Sequence, residues 1–311
     1  MNFYQYQNYS YKDFDLLVDG GFVYACYLKA RPAFAGTHEP NSYAMARSGD
    51  AMYWEEVSSI LEPVPHSWEE DIWAGGISRQ NGQYVIYYTG TTERGRHRDC
   101  KIGKAYSSDL IHWQKDPANP VFILDFQNPY YSVEEQFAFR DPFFFEYEGK
   151  KYILFCAKDK SRPSQKQGCV GIVEEVELNT FRWMPPIFSP GIYLDGLECP
   201  AMYYIQGKWY LLYGVGPENG ETVFRYALAD SPFGSYRVLD DNQLLPENNY
   251  NCRIINHGGK NLLYHWFRDS QNGMMRERLA SPKKVHILKG NKIFLADEYH
   301  SRSESAVVGC R

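Results

Sequence analysis

The stretch FRDPFFFEYEGKKYILFCAK, from Phe139 to Lys158, indicates the fold most directly. It opens with an Arg-Asp-Pro triplet, and two runs of aromatic and β-branched residues follow on either side of a Glu-Gly-Lys break. Two such runs around a short glycine-containing break predict a β-hairpin. Pro142 has no amide hydrogen to donate, which suits the beginning of a strand. The sequence therefore places Asp141 at a strand start, held by rigid backbone.

Similar hairpin patterns recur about every 55–70 residues, an interval compatible with four-stranded propeller blades and their loops. Helical periodicity is nearly absent, so we expect few helices. Five antiparallel sheets arranged radially would cover one another's faces and leave only short edges. We predict an all-β fold, a five-bladed β-propeller forming one domain over residues 1–311 with a tail from about residue 290; a β-sandwich or two β domains is the alternative. The five copies are Asp13–Leu28, Ile72–Thr89, Phe139–Lys158, Glu198–Tyr213 and Cys252–Trp266.

The composition argues against several classes of function. The net charge of −5, without a basic stripe, argues against a nucleic-acid partner. No apolar run reaches the roughly 18–20 residues of a membrane span, so we expect no membrane contact, and the N-terminus lacks a signal-peptide core. The seven cysteines form no CxxC pair, so we expect no metal site and no cofactor. Buried free thiols at Cys26, Cys156 and Cys199 would fit a reduced cytosol, although a secreted chain trimmed of its signal peptide would look the same.

Acidic residues stand at three of the five strand starts, namely at Asp13, Asp141 and Glu198. The innermost strands of a propeller all begin at one end of the central channel, so we expect these side chains to converge. Like charges in a partly desolvated funnel raise one another's pKa and disfavour folding. Glycoside hydrolysis, however, needs one carboxylic acid to protonate the leaving oxygen and one carboxylate to attack the sugar or activate water. The pattern therefore predicts a glycosidase site, with loop capping by these residues as the alternative.

These motifs resemble those of a known family. FRDP at residues 139–142 and ECP at residues 198–200 are similar to the RDP and EC motifs of glycoside hydrolase family 32, the β-fructosidases. Residues 72–90 resemble that family's second-blade segment. The segments SSDLIHW and ADSPFGSY resemble motifs shared with the related family 43, whose members cleave arabinan and xylan. The resemblance extends over nearly the whole chain.

The resemblance implies a role for each acidic residue. Asp13 takes the position of the nucleophile, Asp141 that of the transition-state stabiliser and Glu198 that of the general acid/base. Arg140 would position Glu198 or a sugar hydroxyl. Trp73 would either stack on a furanose ring or fill a blade core.

The first blade departs from the family pattern, because KDFDLL at residues 12–17 replaces the WMNDPNG box. Asp15 is therefore an alternative nucleophile or a substrate contact. Strand alternation puts Asp13 and Asp15 on one face, so direction does not separate them, but the spacing to the following Asp-Gly turn favours Asp13. Asp71 is a further acidic candidate for substrate contact at the funnel.

We predict a retaining glycosidase that acts on β-fructofuranosides, with a disaccharide or oligosaccharide as substrate. Two alternatives keep the fold: an inverting arabinofuranosidase or xylosidase, and a propeller that binds glycans without cleaving them. We expect a propeller without the C-terminal β-sandwich that is usual in family 32, and we expect the tail to close the last blade. Further expectations concern packing between blades by Trp54, Trp113 and Trp183, a solvated loop at residues 93–100 and a rim position for Glu134 and Glu135.

Overall fold

The computed structural model describes residues 10–30, 40–92, 99–133, 139–194, 196–216, 223–246, 249–271 and 274–297. The strands in these ranges form five antiparallel sheets, each built from consecutive segments of the chain. The innermost strands contact their neighbours around a ring, and the first contacts the last. The predicted five-bladed β-propeller is therefore confirmed. Glu134, Glu135 and most of the predicted loop at residues 93–100 lie outside the described ranges.

Every blade begins with its innermost strand and proceeds outward. Within the described ranges there is one turn of 3₁₀ helix, Ser164–Lys166, and no helix long and apolar enough to cross a membrane. The strands of blades one to three are β1 (Ser10–Asp19), β2 (Phe22–Ala30), β3 (Ser42–Ser48), β4 (Glu55–Leu61), β5 (Asp71–Gln80), β6 (Gln83–Thr91), β7 (Lys101–Ser107), β8 (Gln114–Lys115), β9 (Phe139–Tyr147), β10 (Lys150–Lys158), β11 (Gly168–Glu177) and β12 (Thr180–Phe188).

Blade five differs from the others in its outer half. Leu262 and Leu263, near the start of β18, pair with β20, and the second half of β18 pairs with β19. The last strand, β21, pairs with β20, so the tail closes the final blade as predicted. The strands of blades four and five are β13 (Glu198–Ile205), β14 (Lys208–Val215), β15 (Val223–Ala229), β16 (Arg237–Gln243), β17 (Asn249–His257), β18 (Lys260–Gln271), β19 (Met274–Leu279), β20 (Lys283–Leu288) and β21 (Lys292–Asp297).

The same tight turn joins the two inner strands of all five blades. Each turn has two residues, and both have positive φ, as a type I′ turn requires. Asn81 and Gly82, for example, have φ of 49° and 83°. This turn matches the twist of the strands and sets the hairpin register. The turns are Gly20-Gly21, Asn81-Gly82, Glu148-Gly149, Gln206-Gly207 and Gly258-Gly259.

The apolar core lies between neighbouring blades. Trp54 of blade one meets Tyr264 of blade five edge to face, with ring centroids 6.0 Å apart. Trp113 packs on a cluster shared by blades one and two, and Trp183 on one shared by blades two and three. The predicted packing of these tryptophans is confirmed. Burying each sheet from both sides is what stabilises the ring.

The described cysteines are all buried free thiols, which confirms the prediction for Cys26, Cys156 and Cys199. Burial raises the pKa of the Cys26 and Cys199 thiols well above the ordinary value of 9.0. They therefore act as small apolar side chains and not as nucleophiles.

Candidate active site

A β-bulge interrupts the innermost strand of every blade near its start. In blade one, Lys12 lies opposite Leu28 and Phe14 opposite Tyr27, so Asp13 is the extra residue. Bulges bend a strand and redirect its side chains, and they occur next to active sites. The first bulged residue has positive φ in four blades, with values of 32°, 62°, 45° and 44° in blades one, three, four and five. In chain order the bulges begin at Asp13, Ala74, Asp141, Cys199 and Asn251.

The bulges bring the three predicted carboxylates around one residue, Cys199. The thiol of Cys199 lies 3.8 Å from Oδ1 of Asp13. Its backbone amide donates to Oδ2 of Asp141 at 2.9 Å, and Glu198 directly precedes it in β13. Carboxyl groups that are far apart in the sequence and belong to blades one, three and four therefore meet at one mouth of the channel.

Glu198 is held at both oxygens. Arg140 donates through Nη2 to Oε1 at 2.6 Å, and the Tyr250 hydroxyl donates to Oε2 at 2.6 Å. The Glu198 side chain keeps 22% of its surface exposed, whereas that of Arg140 keeps 6%. Glu198 is thus oriented by its neighbours yet open to solvent, as a group that exchanges protons with substrate and water must be.

Asp141 is the most enclosed of the three carboxylates. Its side chain is 5% exposed and lies 3.5 Å from Nε of Arg140, and its backbone amide donates to Oγ1 of Thr89 at 3.0 Å. Burial raises the pKa of Asp141, Arg140 opposes that rise, and the charge of Glu198 adds to it. Arg140 therefore compensates two carboxylates at once.

Asp15 lies deeper in the channel and is 4% exposed. Its Oδ1 accepts from Nε of Arg253 at 3.0 Å and its Oδ2 from the amide of Ile77 at 2.9 Å. Arg253 also donates through Nη1 to the carbonyl of Cys199 at 3.0 Å. Burial raises the pKa of Asp15, and Arg253 opposes that rise. This buried pair closes the channel beneath the site, so the predicted substrate contact by Asp15 does not fit its position.

The alternation argument that put Asp13 and Asp15 on one face fails because of the bulge. Asp13 is an extra residue in the pairing of β1 and β2, so the two-residue periodicity is interrupted there. Asp13 is half-buried at the mouth, whereas Asp15 is buried against blades two and five. The two acids therefore occupy different layers of the channel.

Asp71 supports the Trp73 indole. Its Oδ2 accepts from Nε1 of Trp73 at 2.6 Å, and its Oδ1 accepts from the amide and the side-chain Nδ2 of Asn41 at 2.7 and 3.1 Å. Asp71 is 3% exposed and anchors the Trp73 indole, and the substrate contact predicted for Asp71 stays a prediction. Half-buried Trp73 stands directly before the bulge of blade two, where Glu198 stands in blade four.

Sequence reasoning missed Tyr250 and Arg253. The fifth repeat was taken to begin at Cys252, two residues past the position that matters. A signal for Tyr250 does exist, because the residue before each bulge lies nine positions before the glycine at the second position of the hairpin turn. For Arg253 no such signal exists, since its partners come from other blades. The residues that share the position of Tyr250 are Lys12, Trp73, Arg140 and Glu198.

The site offers carboxyl groups in contrasting surroundings: Asp141 is buried beside a guanidinium, whereas Glu198 and Asp13 are partly open to solvent. Glycoside cleavage uses carboxyl groups in different roles, which such differences in surroundings support. Among the residues that the structure describes, no group of three or more His, Cys, Asp or Glu side chains could hold a metal ion. The chemistry within reach is proton transfer and carboxylate attack.

The family model for glycosyl hydrolases family 43 matches residues 7–267, and the chain belongs to that family. This is the relative of family 32 that the outer-strand motifs resembled. No curated protein sequence matches the chain.

Solved structures share the fold at low identity. A GH32 β-fructofuranosidase from Bombyx mori has a TM-score of 0.70 and 18% identity over 92% of this chain and 61% of its own. A β-fructofuranosidase from Schwanniomyces occidentalis gives 0.71 and 17% over 94% and 60%. A B. subtilis levansucrase variant gives 0.73 and 14% over 94% and 87%. The chain thus spans about three fifths of the two β-fructofuranosidases, and these likenesses establish the fold alone.

Proposed function

We propose that the protein is a retaining glycosidase that hydrolyses β-fructofuranosides such as sucrose or fructo-oligosaccharides. The observation that carries this proposal is the convergence of Asp13, Asp141 and Glu198 around Cys199. The RDP and EC motifs and the fold shared with β-fructofuranosidases support the choice of sugar. Membership of a glycosyl hydrolase family supports hydrolysis as the reaction.

In this proposal Glu198 gives its proton to the glycosidic oxygen while Asp13 attacks the anomeric carbon. The carbon–oxygen bond to the leaving group breaks, and a covalent glycosyl ester forms on Asp13. Glu198, now a carboxylate, takes a proton from water, and the hydroxide attacks the same carbon and releases Asp13. Asp141 accepts hydrogen bonds from the sugar hydroxyls, and Arg140 keeps the local negative charge compensated.

The test is a reducing-sugar screen across fructosides, arabinosides and xylosides with the wild type and the Glu198→Gln variant. We expect release of fructose from sucrose or short fructans by the wild type and a loss of about 10²–10⁴-fold in the variant, the usual contribution of a general acid. Wild-type activity no higher than that of Glu198→Gln on every fructoside would refute the fructosidase proposal.

The family 43 match favours a second candidate, an inverting arabinofuranosidase or xylosidase. In that mechanism Asp13 would activate a water molecule and no glycosyl ester would form. NMR of the first product anomer separates the two: retention supports the fructosidase mechanism, and inversion supports the alternative. The sugar released in the screen gives an independent answer to the question of specificity.

A further inference from the structure

Tyr250 reaches the site from blade five, which supplies none of the three carboxylates. Its hydroxyl donates to Oε2 of Glu198 at 2.6 Å, while Arg140 of blade three donates to Oε1 at 2.6 Å. The two oxygens of one carboxyl group are therefore held from opposite sides. Such pairs of charge-assisted hydrogen bonds fix the plane of the group as well as its position.

The Tyr250 ring is fixed by its own neighbours. Phe224 of blade four meets it edge to face, with centroids 5.3 Å apart and planes at 84°. Trp266 of blade five contacts it at 4.9 Å and 67°. Edge-to-face contacts of this kind favour one ring orientation. The phenol oxygen therefore stays beside Glu198, and only its O–H bond is free to turn.

The two donors on Glu198 differ in what they can accommodate. A guanidinium only donates, in a fixed fork, whereas a hydroxyl donates, accepts and rotates. A proton on Oε1 would face an N–H of Arg140 that cannot turn away. A proton on Oε2 faces the Tyr250 hydroxyl, which can rotate and accept it. The phenol oxygen already acts as an acceptor towards the Cys199 thiol, which donates to it at 3.9 Å.

We propose that Tyr250 is a positioning residue that directs the proton of Glu198 to Oε2 and stabilises the carboxylate that remains after this proton reaches the glycosidic oxygen. The inference rests on the proposed role of Glu198 as general acid/base. The proton moves from Oε2 to the leaving oxygen as the carbon–oxygen bond breaks, and the Tyr250 hydroxyl turns to donate to Oε2, the hydrogen bond seen in the structure. Tyr250 keeps its own proton, since burial and the surrounding negative charges raise its pKa well above 10.0.

The variant Tyr250→Phe removes the hydroxyl and keeps the ring. A carboxylate that loses a hydrogen-bond donor is stabilised less, whereas the protonated carboxyl group loses little. We expect the alkaline limb of the kcat/KM profile to move up by about one pH unit. The other charged and titratable groups facing Glu198 stay in place, namely Arg140 and Asp141 of blade three, Asp13 of blade one and Cys199 of its own blade.

Leaving-group dependence gives a second readout. For a fructoside with an unactivated leaving group, we expect Tyr250→Phe to lower kcat/KM about tenfold. A nitrophenyl leaving group needs little protonation, so for such a fructoside we expect kcat/KM to fall less than about threefold. The matched control is Tyr264→Phe in the same blade. This change removes a buried hydroxyl that donates to the carbonyl of Ala51 at 2.9 Å, and it should leave the alkaline limb unmoved.

An unmoved alkaline limb in folded Tyr250→Phe, with equal losses on both substrates, would overturn the inference and leave the proposed function intact. Absence of Glu198-dependent hydrolysis in the wild type would instead remove the proposed function itself. If Tyr250→Phe does not fold, 3-fluorotyrosine at position 250 replaces it. This ring is a stronger donor, so the limb should move to lower pH, and a limb that stays in place would contradict the inference.

Discussion

Asp13 and Asp15 lie two residues apart on β1, yet they differ in almost every physical respect. Asp13 is half-buried at the mouth of the channel, where its Oδ1 lies 3.8 Å from the thiol of Cys199. Asp15 is 4% exposed and paired with buried Arg253 at 3.0 Å. The first lies where a substrate can reach it, and the second links blade one to blades two and five. One inserted residue, the bulge at Asp13, separates a site layer from a structural layer.

The same separation recurs around the ring. The site residues lie at the bulges or directly before them. Two positions beyond the first bulged residue of blades one, two and five lie Asp15, Gly76 and Arg253, which meet around Asp15 in the channel. Gly76 belongs to this lower layer because a Cβ there would lie 2.9 Å from the carbonyl of Pro142 and 3.2 Å from Oδ2 of Asp15. The structural layer thus holds the strands at fixed distances, and the residues of the site layer do not have that task.

Asp13→Asn should have the largest effect of the proposed substitutions, and this effect should be on activity and not on stability. Removing the nucleophilic carboxylate should lower kcat about 10⁴-fold, while the free energy of unfolding stays within about 1 kcal/mol of the wild type, because the side chain is half-buried. Kinetics on the best fructoside and urea unfolding measure the two quantities. Full activity in Asp13→Asn would remove the distinction between the layers.

Asp15→Leu, in contrast to Asp13→Asn, should lower the stability of the fold. It leaves the buried guanidinium of Arg253 without its charge partner, which costs about 3–5 kcal/mol in comparable cases. Urea unfolding measures the loss. The double variant with Arg253→Met is the control, since an apolar pair should recover most of the stability. A single variant as stable as the wild type would show that the pair does not support the ring.

Gly76→Ala should have a smaller effect in the same layer. The added methyl meets backbone atoms that cannot move aside easily, so we expect a loss of about 1–3 kcal/mol in unfolding free energy. Gly49→Ala is the matched control, because a Cβ there meets only the Phe22 ring at 3.5 Å. Equal thermal midpoints for the two variants would argue against close packing below the site.

Asp141→Asn should reveal the smallest effect, a change in the pH dependence of stability. Burial raises the pKa of Asp141 above 3.8 in the folded state. The contribution of protonated Asp141 to the free energy of unfolding is therefore fully present below pH 3.8. It is lost as the pH rises through the pKa of Asp141 in the folded state. The asparagine side chain of the variant does not titrate. The unfolding free energy of the variant, relative to that of the wild type, should therefore rise over this pH range by at most about 1.4 kcal/mol per pH unit.

Asp50→Asn provides the control of opposite sign for the pH experiment. Amide hydrogen bonds, chiefly from Tyr53, lower the pKa of Asp50. The stabilisation from ionised Asp50 is fully present above pH 3.8 and is lost as the pH falls from 3.8 through the lower folded value. Asp50→Asn should therefore fall behind the wild type in stability as the pH rises to 3.8, and the difference should stay constant above it. Parallel pH profiles for the Asp141 and Asp50 variants would contradict the assignment of burial to Asp141.

The fold could be predicted from the sequence because its determinants are local. Glycines in two-residue turns and alternating apolar runs specify each hairpin, and hairpins such as Phe139–Lys158 recur often enough to imply a ring. Asp141 and Glu198 could be found for the same reason, since both lie within a distinctive strand start. Their meeting around Cys199 follows from the common direction of the innermost strands.

The lower layer could not be predicted because its contacts are distant in sequence. Asp15 and Arg253 are 238 positions apart, and nothing near either residue indicates the other. Alternation, the one local rule available for Asp15, fails where a bulge inserts a residue. The partners of Asp71 could not be predicted for a similar reason, because Asn41 and Trp73 occupy its two oxygens and Asn41 is 30 positions away in the sequence.

The most direct test is a crystal structure of Glu198→Gln with a bound fructo-oligosaccharide. The account predicts the glycosidic oxygen within about 3.2 Å of residue 198, Asp13 facing the anomeric carbon and Asp15 still paired with Arg253. A sugar bound away from this mouth, or Asp13 turned from the ring while Asp15 contacts it, would contradict the division of the channel into a site layer and a structural layer.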